Sequence, residues 1–331
     1  MQGCPLLGMG DKTDIKKITV IGAGNMGAAI AEVMAFNGYS VYLKDQTEAL
    51  ISAGMKRIEG FAGSLVKFEE SKGNREILRI EKNGLKLTEE QKELILKGNT
   101  PSFTSGHKEE LMKRVQPALD YSTIKDSDLV IEAVFENLNV KKEVFSEVAK
   151  NVSQDTIIAS NTSSISITSI TSGMDHPERM LITHFFNPPY TLPLVEIVPS
   201  IHTDNSVAEQ VRDFMAQLKN HRGSMVPIIV KEIPGFVVNR MLVPMINEGI
   251  FLLDEGVASP KDIDLAMKKG AGMPMGPLEL ADMVGLDVTL DVCNLFYQQF
   301  GDPKYRPSVL LKRMVDAGYL GRKSGRGFYT Y

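Results

Sequence analysis

Short runs of apolar, β-branched residues alternate with amphipathic stretches along most of this chain. KITVIG (17–22), SVYLKD (40–45), DLVIEAV (128–134), TIIAS (156–160), MLITHFF (180–186), LPLVEIV (192–198) and PIIVKE (227–232) have the length and residue types of buried strands. Between such runs lie helical periods. Val207, Val211, Phe214, Met215 and Leu218 form one stripe, opened by Thr203 or Asp204 as N-cap. This alternation predicts a mainly parallel sheet wrapped by helices. Residues 67–97 break it, with 15 charged residues out of 31, and are expected to form a solvated helical hairpin. The insertion that carries this hairpin into the α/β domain spans about residues 50–120. From Pro234 onward the pattern is helical. Pro234 suits the first turn of a helix running to Gly256, with Pro244 at a kink. Ser259, Pro260 and Asp262 then give an N-cap, a first-position proline and an acid in the first turn. GPLELADMVGL and PSVLLKRMVDAG suggest further helices, so a second domain is expected from residue 234.

Composition narrows the classes. The 331 residues suffice for two domains, and 43% hydrophobic with 24% charged residues is ordinary for a globular protein. A net charge of −4 gives no footprint for broad nucleic-acid binding. Only Cys4 and Cys293 occur, which excludes a disulfide framework and a four-cysteine metal site; no metal is expected. The opening MQGCPLLGMGDKTDIKK lacks the basic and apolar regions of a signal peptide, and no uncharged apolar run approaches membrane-spanning length. A soluble, cytoplasmic protein is the expectation.

Strand KITVI runs into Gly22-Ala23-Gly24-Asn25-Met26-Gly27 and then into the helical AAIAEVMAFNG. Gly22 permits the tight turn, Gly24 lets a pyrophosphate approach the backbone, and Gly27 allows helix to pack on strand. The helix start, at Asn25 and Met26, offers unpaired N–H groups to a phosphate. The next strand ends at Asp45, 23 residues after Gly22. An acid there accepts hydrogen bonds from ribose hydroxyls and repels a 2′-phosphate. No arginine follows in QTEAL, so NAD is expected over NADP. The N-terminal part, residues 1–233, thus reads as a Rossmann-type doubly wound sheet with a helical insertion. Residues 234–331 read as an all-α domain.

LITHFFNPPYTLPLVEIV (181–198) places two ionisable residues, His184 and Glu196, in runs that read as buried strands. Burying either group costs free energy unless it pairs or does chemistry. Pro188, Pro189 and Pro193 interrupt the two runs, so the chain is expected to reverse around Tyr190, which sets His184 opposite Glu196. A histidine oriented by a carboxylate suits a general base, the group needed when an alcohol loses hydride to NAD⁺. A core histidine with a nearby ion pair is the bland alternative. Ser160-Asn161-Thr162-Ser163-Ser164 follows another strand at the edge where ligands dock. It reads mostly as a turn and a helix cap, with one or two residues for a substrate hydroxyl or nicotinamide ribose.

Together these residues resemble the L-3-hydroxyacyl-CoA dehydrogenase family of fatty-acid β-oxidation, which includes 3-hydroxybutyryl-CoA dehydrogenases. The matching stretches are VIGAGNMG, VIEAVFENLNVKKEVF, SNTSSISIT, HFFNPP with LVEIV, PGFVVNR, GAGMPMGPLELADMVGLD and GRKSGRGFYTY, spread over residues 17 to 331. The resemblance implies reversible, NAD-dependent oxidation of an L-3-hydroxyacyl-CoA to the 3-oxoacyl-CoA. His184 is then the general base and Glu196 its orienting partner. Ser163 would hydrogen-bond the reacting oxygen, and Asn239 would help position substrate, with Asn187 beside them in the substrate set. Gly22, Gly24, Asn25, Met26, Gly27, Asp45, Ala133, Glu136, Lys141 and Asn161 would form the cofactor site. It further implies a homodimer through the helical domain, an acyl-CoA substrate, and functional association with an enoyl-CoA hydratase; neither nucleic acid nor membrane is an expected partner. Two segments exceed the family's usual length: the charged stretch after Asp45 and the connection NHRGSMVPIIVKEIPG. Rival readings are a dehydrogenase of a free hydroxy acid or a sugar acid, and a non-catalytic, crystallin-like protein. Free-acid enzymes rely on a catalytic lysine, which the His–Glu arrangement and HFFNPP argue against.

Overall fold

The computed structural model describes residues 15–331; the first fourteen residues, Cys4 and most of the opening stretch among them, lie outside the described residues. The chain divides into two compact units after Lys231. The first unit is built on strands β1 (Lys17–Ile21), β2 (Ser40–Lys44), β3 (Val115–Ala118), β4 (Leu129–Glu132), β5 (Ile157–Ser160), β6 (Met180–Phe185) and β7 (Leu194–Pro199). A short ribbon, β8 (Lys219–Asn220) with β9 (Gly223–Ser224), precedes the last strand, β10 (Val226–Ile229). The main sheet has the order β10-β7-β6-β5-β4-β1-β2-β3. Strands β3, β2, β1, β4, β5 and β6 run parallel, β7 is antiparallel to β6, and β10 follows β7. The central strands are buried on both faces, with Ile18, Val20, Leu129, Ile131, Ile158 and Leu181 inaccessible to solvent. Such near-continuous apolar runs are what a covered parallel sheet requires.

Helices α1 (Asn25–Phe36), α2 (Glu48–Glu70), α3 (Lys72–Lys82), α4 (Glu89–Gly98), α5 (Ser105–Arg114), α6 (Leu138–Asn151), α7 (Ile167–Thr171) and α8 (Asn205–Gln217) complete the unit. The charged stretch of residues 67–97 forms the end of α2 and the α3–α4 hairpin. Its α4 carries a full capping box between Thr88 and Gln91, so the turn into that helix is satisfied locally. The α8 stripe buries Val211, Phe214 and Met215 behind Asp204 as N-cap.

The second unit, from Glu232, contains α9 (Val238–Asp254), α10 (Pro260–Gly270), α11 (Pro277–Val284), α12 (Leu286–Phe300) and α13 (Val309–Asp316) around a core that includes Ile246, Ile250, Leu278, Leu286 and Phe296. Two buried carboxylates pin the closing GRGFYTY segment. Asp282 accepts the Phe328 and Tyr329 N–H groups, both at 2.9 Å, and Asp264 accepts the Tyr329 hydroxyl at 2.6 Å.

Three local expectations need correction. The helix predicted from Pro234 begins at Val238, because Gly235 and Phe236 have φ of 77° and 45°, which no right-handed helix accommodates. Val115–Ala118, within the span expected to be helical, is a strand paired with β2. The run 128–134 stops at Glu132, where the Glu132 carboxylate turns back to accept the Val134 N–H at 2.6 Å.

Candidate active site

Sheet order reverses between β1 and β4, so their carboxyl ends open a crevice at the position where α/β sheets bind ligands. The glycine turn occupies it. Gly22 donates its N–H to Lys44 O at 2.8 Å and has φ of 102°, and a Cβ there would lie 2.5 Å from Ala133 O. Only glycine allows β1 and β4 to leave the sheet this closely. A Cβ on Gly27 would stand 1.7 Å from Gly22 O, so α1 can start against the turn only without one. At Gly24 the same test meets no atom within 4 Å. The backbone there is open, which fits the approach of a pyrophosphate to the start of α1. Asp45 follows β2; its Oδ2 accepts the Ala23 N–H at 2.7 Å and its Oδ1 accepts the Gln46 N–H at 2.7 Å. Those bonds fix the carboxylate beside the turn and leave lone pairs for ribose hydroxyls. The chain therefore fits a dinucleotide.

Across the crevice, β6 and β7 pair in the register that sets His184 opposite Glu196. The ring Nδ1 donates to Glu196 Oε2 at 2.8 Å. His184 is 6% exposed and Glu196 fully buried, so the pair works away from bulk water. The Phe186 ring meets the imidazole edge at 4.7 Å and limits its rotation. With the carboxylate on Nδ1, acid–base chemistry falls to Nε2.

The SNTSS segment lies between the two regions. Asn161 Oδ1 accepts the Phe185 N–H at 2.9 Å, tying the segment to the residue after His184. Glu136 gathers the rest: its Oε1 accepts from Thr162 Oγ1 at 2.5 Å, Ser164 Oγ at 2.7 Å, and the Ser163 and Ser164 N–H groups at 3.2 Å. Its partial removal from water would raise the carboxyl, but the Lys141 ammonium and the hydroxyl donors Thr162 and Ser164 outweigh that and hold it below the usual glutamate range. Lys141 is enclosed, at 1% exposure, between Glu132 at 2.7 Å and Glu136 at 3.3 Å.

Glu132 was not apparent as a site residue in the sequence. It is fully buried and joins Val134 N–H, Lys141 and Ser160 Oγ, the last at 2.6 Å. The acid inside DLVIEAV was its only signal. Arg57 was missed as well: its Nε donates to Asn25 Oδ1 at 3.0 Å and its Nη1 to Ala23 O at 3.3 Å, on the glycine turn itself. Gly22, Gly24, Asn25, Gly27, Asp45 and Ala133 thus border the crevice, while the Met26 side chain packs against the core. Asn161, Ser163, Glu136 and Lys141 form one connected network beside His184. Asn187 is exposed, two residues past the end of β6. Asn239 belongs to the second unit, in the first turn of α9. Among the described residues no cluster of histidine, cysteine or carboxylate side chains suits a metal ion, and no helix is long and apolar enough to cross a membrane.

A dinucleotide turn facing a buried His–Glu pair defines an oxidoreductase that acts on CH–OH groups with NAD. Residues 17–83 and 74–233 match the NAD binding domain of 3-hydroxyacyl-CoA dehydrogenase, and residues 235–331 match its C-terminal domain. The chain belongs to the 3-hydroxyacyl-CoA dehydrogenase family. It is 39% identical over 315 residues to a 3-hydroxybutyryl-CoA dehydrogenase of Clostridioides difficile, covering 95% of this chain and 99% of the relative. It is also 39% identical over 321 residues to the mitochondrial hydroxyacyl-coenzyme A dehydrogenase of Homo sapiens, covering 97% and 92%. The crystal structure of (S)-3-hydroxybutyryl-CoA dehydrogenase from Ralstonia eutropha superposes with a TM-score of 0.81 at 38% identity, over 96% of this chain and 99% of that one. The activity is NAD-dependent oxidation of 3-hydroxyacyl-CoA.

Proposed function

We propose that His184 is the general base of this oxidation, that Glu196 orients it, and that the substrate is a short-chain L-3-hydroxyacyl-CoA. One observation carries the assignment: the 2.8 Å contact from His184 Nδ1 to Glu196 Oε2, on paired strands at the carboxyl edge of the sheet. The substrate 3-hydroxyl gives its proton to His184 Nε2 as C3 loses hydride. NAD, when bound, supplies the hydride acceptor. Glu196 keeps the Nδ1–H tautomer in place and stabilises the imidazolium that forms. Ser163 holds the reacting oxygen, and Asn187 and Asn239 position the rest of the acyl group. Gly22, Gly24, Asn25, Met26, Gly27, Asp45, Ala133 and Asn161 line the cofactor, while Glu136 and Lys141 fix the segment beside it. The preference for a four-carbon acyl group rests on relatives named for 3-hydroxybutyryl-CoA.

The helical unit, in this reading, binds substrate and forms a homodimer, and the protein works in the cytoplasm alongside an enoyl-CoA hydratase. The deciding experiment is NADH oxidation with acetoacetyl-CoA, run beside free acetoacetate and with NADPH in place of NADH. Rapid loss of NADH absorbance with the thioester alone is expected. Turnover of the free acid but not the thioester would move the substrate to a hydroxy acid and remove the assignments of Ser163, Asn187 and Asn239.

A further inference from the structure

Helix α2 passes directly over the glycine turn. A Cβ on Gly54 would lie 2.7 Å from Ala23 Cβ and 3.0 Å from Ala23 O, so the helix backbone and the turn are in close contact. One helical turn on, Arg57 reaches back across it. Its two acceptors, Ala23 O and Asn25 Oδ1, flank Gly24, the position at which the backbone is open. Both are neutral oxygens, so the guanidinium is anchored without its charge being cancelled. Two fixed contacts also reduce the rotamer freedom the side chain would lose on meeting a ligand.

We propose that Arg57 is a cofactor-binding residue of this enzyme, its remaining N–H donors taking the pyrophosphate of NAD above Gly24. The inference rests on NAD occupying the glycine turn. The start of α1 supplies backbone N–H groups and a partial positive charge to that anion. A guanidinium held at the same place adds a full charge and a planar fork that matches phosphate oxygens. Asp45 stands on the other side of Ala23, against a 2′-phosphate, so an arginine here serves the phosphates common to NAD and NADP without favouring NADP.

The test compares wild type with Arg57→Met, which keeps the apolar stem, and Arg57→Lys, which keeps the charge but not the fork. Dissociation constants are measured for NADH and ADP-ribose, and for adenosine by displacement of NADH, at low and raised salt. Arg57→Met is expected to weaken NADH and ADP-ribose by roughly tenfold or more and to leave adenosine unchanged. Arg57→Lys should fall between, and the wild-type advantage should shrink with salt. Equal weakening of adenosine would reduce Arg57 to a brace of the turn. Unchanged NADH affinity would overturn the assignment, as would a rise confined to the KM for acetoacetyl-CoA. A larger effect on NADPH than on NADH would move the contact to the 2′-phosphate. Wild-type protein that fails to bind NADH at all would instead remove the cofactor reading on which the inference stands.

Discussion

Replacing Glu196 by glutamine changes one charge and almost no volume. Glu196 is fully buried and its Oε2 lies 2.8 Å from His184 Nδ1, which puts the centres of carboxylate and imidazolium about 4 Å apart. At an effective dielectric of about 20, two unit charges at that distance attract by about 4 kcal/mol. The glutamine oxygen still accepts the Nδ1–H, so the tautomer survives and part of the interaction is kept. A loss of about 3 kcal/mol in stabilising the imidazolium of the oxidation transition state corresponds to roughly two decades in rate. The assay is single-turnover NADH formation from L-3-hydroxybutyryl-CoA and excess NAD, which isolates the chemical step from product release. NADH affinity, measured by fluorescence, should stay within about twofold, because the carboxylate is paired with His184 on β6. His184→Ala should lose as much or more, and the double variant no more than His184→Ala alone, since Glu196 acts only through the ring. A Glu196→Gln rate within threefold of wild type, or additive losses in the double variant, would refute the orienting role.

Gly27→Ala forces a Cβ to within 1.7 Å of Gly22 O, a backbone atom, so the turn must open; stability should fall by roughly 2–3 kcal/mol in urea denaturation and NADH binding should weaken with it. Glu136 has its carboxyl held below the ordinary range in the folded protein, so its contribution is present at neutral pH and lost as pH falls through that lowered value. The stability difference between wild type and Glu136→Gln, followed by thermal melting, should therefore be largest near pH 7 and shrink in acid; a constant difference would show that charge is not involved. His221 Nε2 lies 2.7 Å from Oε1 of the fully buried Glu32, whose Oε2 has no hydrogen-bond partner among the described residues. His221→Ala should cost about 3–5 kcal/mol by stranding that carboxylate. The double variant with Glu32→Ala should lose less than the sum of the singles.

The β6–β7 register was legible because three prolines mark the reversal and the two ionisable residues stand in otherwise apolar runs. The glycine turn was legible because Gly22 and Gly27 answer steric needs that a side chain would violate, with Gly24 completing the spacing between them. Strand β3 was not, since Gln116 and Pro117 spoil its pattern. A proline is tolerated there because β3 is the edge strand, where a missing N–H breaks no essential ladder. The start of α9 was misplaced for a similar reason: a proline permits a first helical turn, but the left-handed residues after it do not. Contacts across long sequence separations leave no periodicity. Glu132 meets Ser160 28 residues away, Arg57 meets Asn25 at 32 and His221 meets Glu32 at 189, so none could be paired from spacing alone.

The last of those pairs accounts for part of the long connection before β10. The side chain of Asn37, at the end of α1, donates to Lys219 O and accepts the Lys219 N–H, both at 2.8 Å, which locks the β8–β9 ribbon to the dinucleotide-binding helix. Five residues earlier on α1, Glu32 holds His221. On its other side the ribbon grips the connection that follows His184: the His221 N–H donates to Tyr190 O at 2.9 Å, and Asn220 Nδ2 donates to Pro189 O at 3.2 Å. The His221 ring packs between Phe36 of α1, at 5.5 Å, and Tyr190, at 5.2 Å, while Tyr190 meets Phe61 of α2 at 4.7 Å. Moving residues 186–193 away from the cofactor turn would thus break hydrogen bonds to the ribbon and the Tyr190 contact with α2 at once. A base must be held within about half an ångström of its working position, and strands alone do not fix the loop that leaves them. The ribbon ties that loop from the cofactor side, linking the helix that begins at the glycine turn to the connection that carries Asn187.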